Sequence, residues 1–428
     1  MQLINERKSE KLLIFGITTY IFLLWFLPSS FAILTALLLG IDIIYILISS
    51  GLTIKFTLTI RYWCVFIIFQ IFNLTFTSLS SLNNFIEGME FIIYQIIFLM
   101  TYILLINSQR WLNIFYKNLS IVLAIYFFGS LLQLINPQLL TTFNKLHLGK
   151  DYIQYFLNFV NSGSLVGFTY QTTVNGYILS IFQGVLLVFI YKKKTFISKT
   201  FFIFLFTLNF YFLFLTGKRA LIVFVMIAII LVIFALLKKK SHIIFVVVIM
   251  VILSWFFLYF TEAGNLILKR MELLESVGNV TAYRSQYNRM MWDDFIDKPL
   301  FGHGTYSTRS VINATNGHNI YLQGLRENGL FGFISFLIIL CGNFLKGYIS
   351  IFKCVEFENK LLLCLSVYCQ IIFILWGATE NPLYDVYPLF IYFCSIAVMD
   401  ALILNGSSSD QIDYEISRRM SNSLGGQK

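Results

Sequence analysis

Residues 201–237 read FFIFLFTLNFYFLFLTGKRALIVFVMIAIILVIFALL, two apolar runs joined by the polar segment TGKRA. Similar runs recur along the chain, and a helix needs roughly 20 apolar residues to cross ~30 Å of hydrocarbon. Hydrophobic residues make up 58% of the 428 residues and charged residues only 12%. A soluble domain carries about a quarter charged residues, so the chain reads as an all-α integral membrane protein. A β-barrel is excluded, because it needs short alternating segments in place of long apolar runs.

Working outward from TGKRA, spans fall near 12–27, 31–50, 62–79, 85–106, 118–135, 173–191, 200–215, 220–237, 243–260, 330–350, 361–378 and 388–404, about twelve in all. Four regions follow: an N-terminal membrane bundle (1–204), a central region (205–345), C-terminal helices (346–404), and a polar, Ser-rich tail (405–428) expected to be disordered and cytoplasmic. No internal repeat is visible. Arg7, Lys8 and Lys11 precede the first apolar run, which lacks a convincing cleavage site and reads as an uncleaved span.

The net charge of +10 follows the same logic. With the N-terminus inside, most Lys and Arg residues fall on inner segments, including the runs Lys192–Lys194 and Lys238–Lys240. That is the pattern of topology determinants and not of a nucleic-acid surface. Both termini are then cytoplasmic, and residues 136–172 and 261–329 face outward. The six cysteines show neither metal spacing nor a plausible external disulfide.

The outer loop 261–329 is too long to be a mere connector. An amphipathic helix is expected over 285–296, then Pro299, a tight turn at FGHGTY (301–306), and a second helix starting near His318. The stretch GHNIYLQGLRENGLFG (317–332) puts a titratable ring at the membrane boundary. Imidazole, with an intrinsic pKa near ~6.5, is suited to act as a base there or simply to start a helix.

Lys218 and Arg219 break the inside-positive pattern, and a charge within the membrane costs roughly 2.5–3.5 kcal/mol. A phosphate-bearing ligand would offset that cost through paired guanidinium hydrogen bonds; so would snorkelling to the interface. Arg284 and Arg289 are ~140° apart on a helix, so one reaches inward while the other is solvated. Arg326, ~80° from His318 on a continuous helix, is the expected neighbour of the imidazole, whereas Glu327, ~180° away, is expected to serve structure. Glu380 and Asp385 in TENPLYD are reserve candidates for a base or an acceptor-binding carboxylate. His303 suits turn geometry, and His147 and His242 have no supporting constellation. No P-loop, HExxH or GxSxG is present.

Taken in order, TGKRA, then Arg284 about fifteen residues before PLFGHG (299–304), then His318-Asn319 and ENGLFG (327–332), resemble the signature of the O-antigen ligase and O-antigen polymerase (Wzy-type) superfamily. Tyr287, where a Trp often stands, and the His of Gly-His-Gly are departures. The resemblance covers roughly 205–345. It implies a GT-C-like membrane fold with a large, partly helical extracytoplasmic loop. The implied activity is an inverting, metal-independent glycosyltransferase that needs no cofactor. Undecaprenyl-pyrophosphate-linked oligosaccharides would be donor and acceptor at the outer face of the cytoplasmic membrane, with a chain-length regulator and a flippase as partner proteins. Arg219 and Arg284 would hold the pyrophosphate, and His318 would take the acceptor proton. Ile, Phe, Lys and Asn are abundant, as AT-rich genomes encode, which points toward capsule-type polymerisation in a low-GC Gram-positive source. A ligase shares these motifs. A flippase or transporter would place polar residues near the bilayer midplane, whereas the polar candidates here cluster at the outer mouth.

Overall fold

The structure, a computed structural model, describes residues 38–45, 56–78, 82–106, 109–148, 150–237, 240–261, 284–311 and 317–404, with a few positions between 264 and 272. Among these residues the regular elements are all helices. They are α1 (Leu58–Ser78), α2 (Leu82–Leu105), α3 (Gln109–Ile135), α4 (Pro137–His147), α5 (Lys150–Asn161), α6 (Thr172–Lys192), α7 (Phe196–Leu215), α8 (Arg219–Leu236), α9 (Lys240–Phe260), α10 (Arg284–Asp297), α11 (Thr308–Val311), α12 (Ile320–Lys353), α13 (Phe357–Gly377) and α14 (Val386–Leu404).

Nine helices among the described residues are long and apolar enough to cross a membrane: α1, α2, α3, α6, α7, α8, α12, α13 and α14. The chain is thus a multi-pass membrane protein. The expected span at 12–27, most of 31–50 and the tail after 404 lie outside the described residues. Helix α9 occupies the place of the span expected at 243–260.

Helices α6, α13 and α14 are buried over most of their length, whereas α7 turns Phe201, Ile203 and Phe204 outward. Close approach and polar pairing hold the inner helices together, because lipid offers no hydrophobic drive between spans. A Cβ on Gly184 of α6 would lie 2.4 Å from the Tyr368 ring of α13, and the Tyr368 hydroxyl donates to Ser180 O at 2.8 Å. Asn209 of α7 donates to Leu179 O at 2.9 Å and to the Gln183 side chain.

Two glycine segments interlock above the bundle. His303 N donates to Arg326 O (2.8 Å), Gly304 N to Glu327 O (3.1 Å), and Leu330 N to Pro299 O (2.8 Å). The backbones approach so closely that a Cβ on Gly302 would sit 2.5 Å from Glu327 O, and one on Gly329 2.3 Å from Leu300 O. Both glycines have positive φ, which L side chains rarely adopt. Gly329 also breaks α12, so the element is a short helix begun at Ile320 and, across the kink, the expected span that begins near Leu330.

At the opposite end of the bundle, Asp400 of α14 is fully buried. It accepts from Lys346 Nζ (2.6 Å), Thr59 Oγ1 (3.3 Å) and the Tyr102 hydroxyl, joining α12, α1 and α2. Asp400→Leu alone leaves Lys346 without its partner and should lower stability by roughly 3 kcal/mol, the low end for a broken buried pair because Lys346 is about one-third exposed. Lys346→Met/Asp400→Leu should recover most of that loss. Thermal unfolding of both variants in detergent checks this.

Candidate functional site

The site is built where four helix ends meet, the starts of α8, α10 and α12 and the end of α13. Gly377, the last residue of α13, leaves no room for a Cβ: one would lie 2.5 Å from Ile320 Cδ1. The start of α12 therefore packs directly on the end of α13, and Tyr321 donates its hydroxyl to Ile374 O at 2.7 Å. Asn319 caps α12 by accepting from Tyr321 N (3.1 Å) and Leu322 N (3.3 Å). Gly317 N donates to Gln323 Oε1 at 3.0 Å. Between these anchors His318 takes a left-handed backbone, φ 54°, a costly conformation for a non-glycine residue that recurs at functional sites.

This turn aims His318 at Glu380, in the loop after α13. His318 Nδ1 lies 2.9 Å from Glu380 Oε2, Arg284 donates from Nη2 to Oε1 at 3.0 Å, and Lys218 Nζ lies 3.5 Å from the same oxygen. Only 12% of the Glu380 side chain is exposed. Burial alone would raise its pKa, but the His318 hydrogen bond and the charges of Lys218, His318 and Arg284 outweigh it and bring the value down to about 2. A carboxylate only accepts, so Nδ1 carries the proton in the neutral ring and Nε2 presents its lone pair. The His318 side chain is 38% exposed, open to a substrate.

The structure brings together Lys218, Arg284, His318 and Glu380, and leaves other candidates elsewhere. Arg219 is the first residue of α8 and is exposed; its neighbour Lys218 is the one that reaches the site. Arg289 is solvated beside Asp293 at 3.9 Å. Arg326, expected beside the imidazole, is buried with Asp294 (2.7 Å), Ser307 (2.9 Å) and Thr308 (3.3 Å) instead. The wheel angle fails because His318 precedes the N-cap and is not on the helix. Glu327 is fully buried and accepts from Tyr306 N (2.9 Å), Thr308 N (3.3 Å), Gln323 Nε2 (3.0 Å) and the Tyr384 hydroxyl (2.7 Å). It thereby ties the turn at 304–308 to the loop that carries Glu380. Burial raises the Asp385 carboxyl to about 6, against the Tyr387 amide that it accepts at 3.2 Å and with the Glu380 charge. His303 bonds the Asp294 carbonyl at 2.6 Å, fixing the end of α10.

Sequence reasoning missed the pairing of His318 with Glu380, 62 residues apart, and the Tyr384–Glu327 strut. A further pair, Arg309 with Glu87, fastens α11 to α2, with the Arg309 guanidinium 5.3 Å from the Tyr306 ring centroid. No local pattern announces such contacts.

Residues 202–337 match the family model described as O-antigen ligase. The match is consistent with the O-antigen ligase/polymerase superfamily. It includes Lys218, Arg284 and His318, but not Glu380. The match supports a membrane glycan-processing enzyme of the ligase/polymerase kind. No curated protein matches the chain.

The depressed pKa of Glu380 has a measurable consequence. Its stabilisation is complete above the unfolded value of 4.5 and is lost as pH falls toward about 2. Wild-type protein should therefore lose more thermal stability between pH 5 and 2.5 than Glu380→Gln, whose unfolding temperature should already be lower at pH 7. Scanning unfolding of both across that range checks it.

Proposed function

We propose that the protein polymerises lipid-pyrophosphate-linked oligosaccharide repeat units by inverting glycosyl transfer. The observation that carries this reading is the convergence of Lys218, Arg284 and His318 on Glu380 at one end of a membrane bundle. With a neutral imidazole the four side chains sum to one positive charge (+1 +1 −1), which suits an anionic leaving group. Lys218 is also the N-cap of α8 and supplies no side-chain acceptor, so the positive end of the helix is left for phosphate oxygens.

In the reaction, an acceptor hydroxyl attacks the anomeric carbon of the donor. The new carbon–oxygen bond forms as the bond to the pyrophosphate oxygen breaks, and lipid pyrophosphate departs with the electron pair. His318 Nε2 takes the hydroxyl proton, and Glu380 stabilises the imidazolium through Nδ1–H. Arg284, with the rest of its guanidinium fork, and Lys218 stabilise the charge developing on the leaving group. These cations supply the electrostatic role that a divalent ion takes in other phosphate sites.

We place the cluster at the outer face of the cytoplasmic membrane, with both termini inside. The opposite end carries Lys192, Lys193, Lys194 and Lys199 around the α6–α7 junction, and Lys353 and Lys360 around the α12–α13 junction, as inside-positive topology requires. A ligase that moves finished glycan to another acceptor is the second reading, favoured by the description of the matched family.

The surface-glycan ladder of a deletion strain separates the readings. Loss of the ladder with a single lipid-linked repeat retained is the polymerase outcome; a long lipid-linked polymer never transferred is the ligase outcome. Arg284→Lys should be severely impaired at normal protein levels, because a point charge cannot replace a planar fork. Wild-type polymer from that variant would remove Arg284 from pyrophosphate binding.

A further inference from the structure

A second half-site lies beside the cationic cluster, and its chemistry differs. The loop at 162–171 packs against the α6 end of the site. Gln133 of α3 accepts from Val166 N (2.8 Å) and Gly167 N (2.9 Å) and donates to Ser164 O (2.9 Å). Asn144 of α4 donates to Gly167 O at 3.0 Å, and Leu165 N donates to Leu215 O at 3.0 Å. The loop is thus fixed from three helices, a preorganisation that binding sites need.

This rigid loop ends on Tyr170 and Gln171, at the entry to α6. Gln171 Nε2 donates to the Tyr170 hydroxyl at 3.1 Å, and the Tyr152 ring of α5 lies 4.7 Å from the Tyr170 ring. Tyr152 is half-exposed. The first turns of α6 touch both parts of the cationic site. A Cβ on Gly176 would lie 3.7 Å from the Lys218 side chain. Tyr177 stacks on Trp376, at the end of α13, at 4.5 Å and donates to Pro388 O at 3.4 Å. Asp385 belongs to the same neighbourhood: its charge acts on Tyr170, and Glu380 acts on it. Asp385 Oδ1 accepts from Tyr387 N at 3.2 Å.

We propose that Tyr170, Gln171 and Asp385, with Tyr152 at the rim, form the subsite that seats the acceptor sugar and presents its hydroxyl to His318. A sugar ring offers an apolar C–H face and hydroxyls around its edge. Tyrosine rings match the face, and an amide and a carboxylate match the hydroxyls. Among the described residues no cation forms an ion pair with Asp385, unlike Glu380, so hydroxyl donors suit it and phosphate does not. The burial that raises its pKa is the desolvation a sugar's hydroxyls would compensate. The site is therefore divided: Lys218 and Arg284 face the pyrophosphate of the donor, the tyrosines and Asp385 face the acceptor saccharide, and His318 with Glu380 stands between them. This assignment rests on the glycosyl-transfer reading above.

The test uses the full-length protein in detergent with two probes. One is the single lipid-linked repeat extracted from a deletion strain, titrated as acceptor. The other is long-chain lipid-linked polymer from wild-type membranes, titrated as donor. Asp385→Asn and Tyr170→Ala should each raise the acceptor KM roughly tenfold, as expected for one lost polar or stacking contact. The donor KM should stay within about twofold, and Tyr170→Phe, which keeps the ring, should recover most of the Tyr170→Ala loss. Tyr152→Ala, at an exposed position that folding tolerates, should raise the acceptor KM without changing thermal stability. A donor KM that shifts with an unchanged acceptor KM, or no shift in either, overturns the subsite while leaving the glycosyl-transfer reading intact. Absence of any transfer by wild-type protein overturns that reading and the subsite with it.

Discussion

A single buried carboxylate organises the candidate site. Glu380 receives Arg284 and Lys218 on one oxygen and His318 on the other, so elements from α8, α10, α12 and the loop after α13 meet on one group. An ionised carboxylate in such surroundings is tolerated only because it is paired on both oxygens. The pairing works in both directions. It holds two cations side by side without a ligand present, and it fixes the imidazole tautomer that leaves Nε2 available.

The position of Glu380 depends in turn on features that carry no charge. Gly377 lets α12 and α13 touch, and Asn319 sets where α12 begins. The Tyr384 hydroxyl on Glu327 holds the Glu380 loop against the glycine turn of the loop above. Glu327 and Arg326 are thus supports of the site, bonded to Thr308, Ser307 and Asp294. At the far end of the same helices, Asp400 and Lys346 fasten α12 to α14, so the bundle is pinned at both ends by paired charges with an aromatic interior between. Trp63, Phe66, Phe98, Phe336 and Phe393 form that interior, with Trp63 4.6 Å from Phe393.

Much of the fold was legible because membrane spans are written in length and apolarity, properties of consecutive residues. TGKRA marked the boundary of two spans and stands between α7 and α8. The 285–296 helix and the tight turn after Pro299 were visible for the same reason: periodicity and glycine are local signals. The site was only half legible. His318 and Arg284 stand out in the sequence, but nothing in TGKRA tells that Lys218 lies at the N-cap and reaches Glu380 while Arg219 is exposed. The helical wheel misassigned Arg326, since a left-handed residue before the cap does not obey the wheel. Glu380 and its partners come from distant parts of the chain, and only packing of α12 on α13 unites them.

The central claim is that His318, held by Glu380, removes the acceptor proton. Turnover by purified His318→Ala with lipid-linked repeat units tests it most directly, with donor binding measured on the same preparation. The account predicts a loss of roughly 10²–10⁴-fold in rate with donor binding retained, because the pyrophosphate is held by Arg284 and Lys218. Near-normal turnover in folded His318→Ala protein would contradict it.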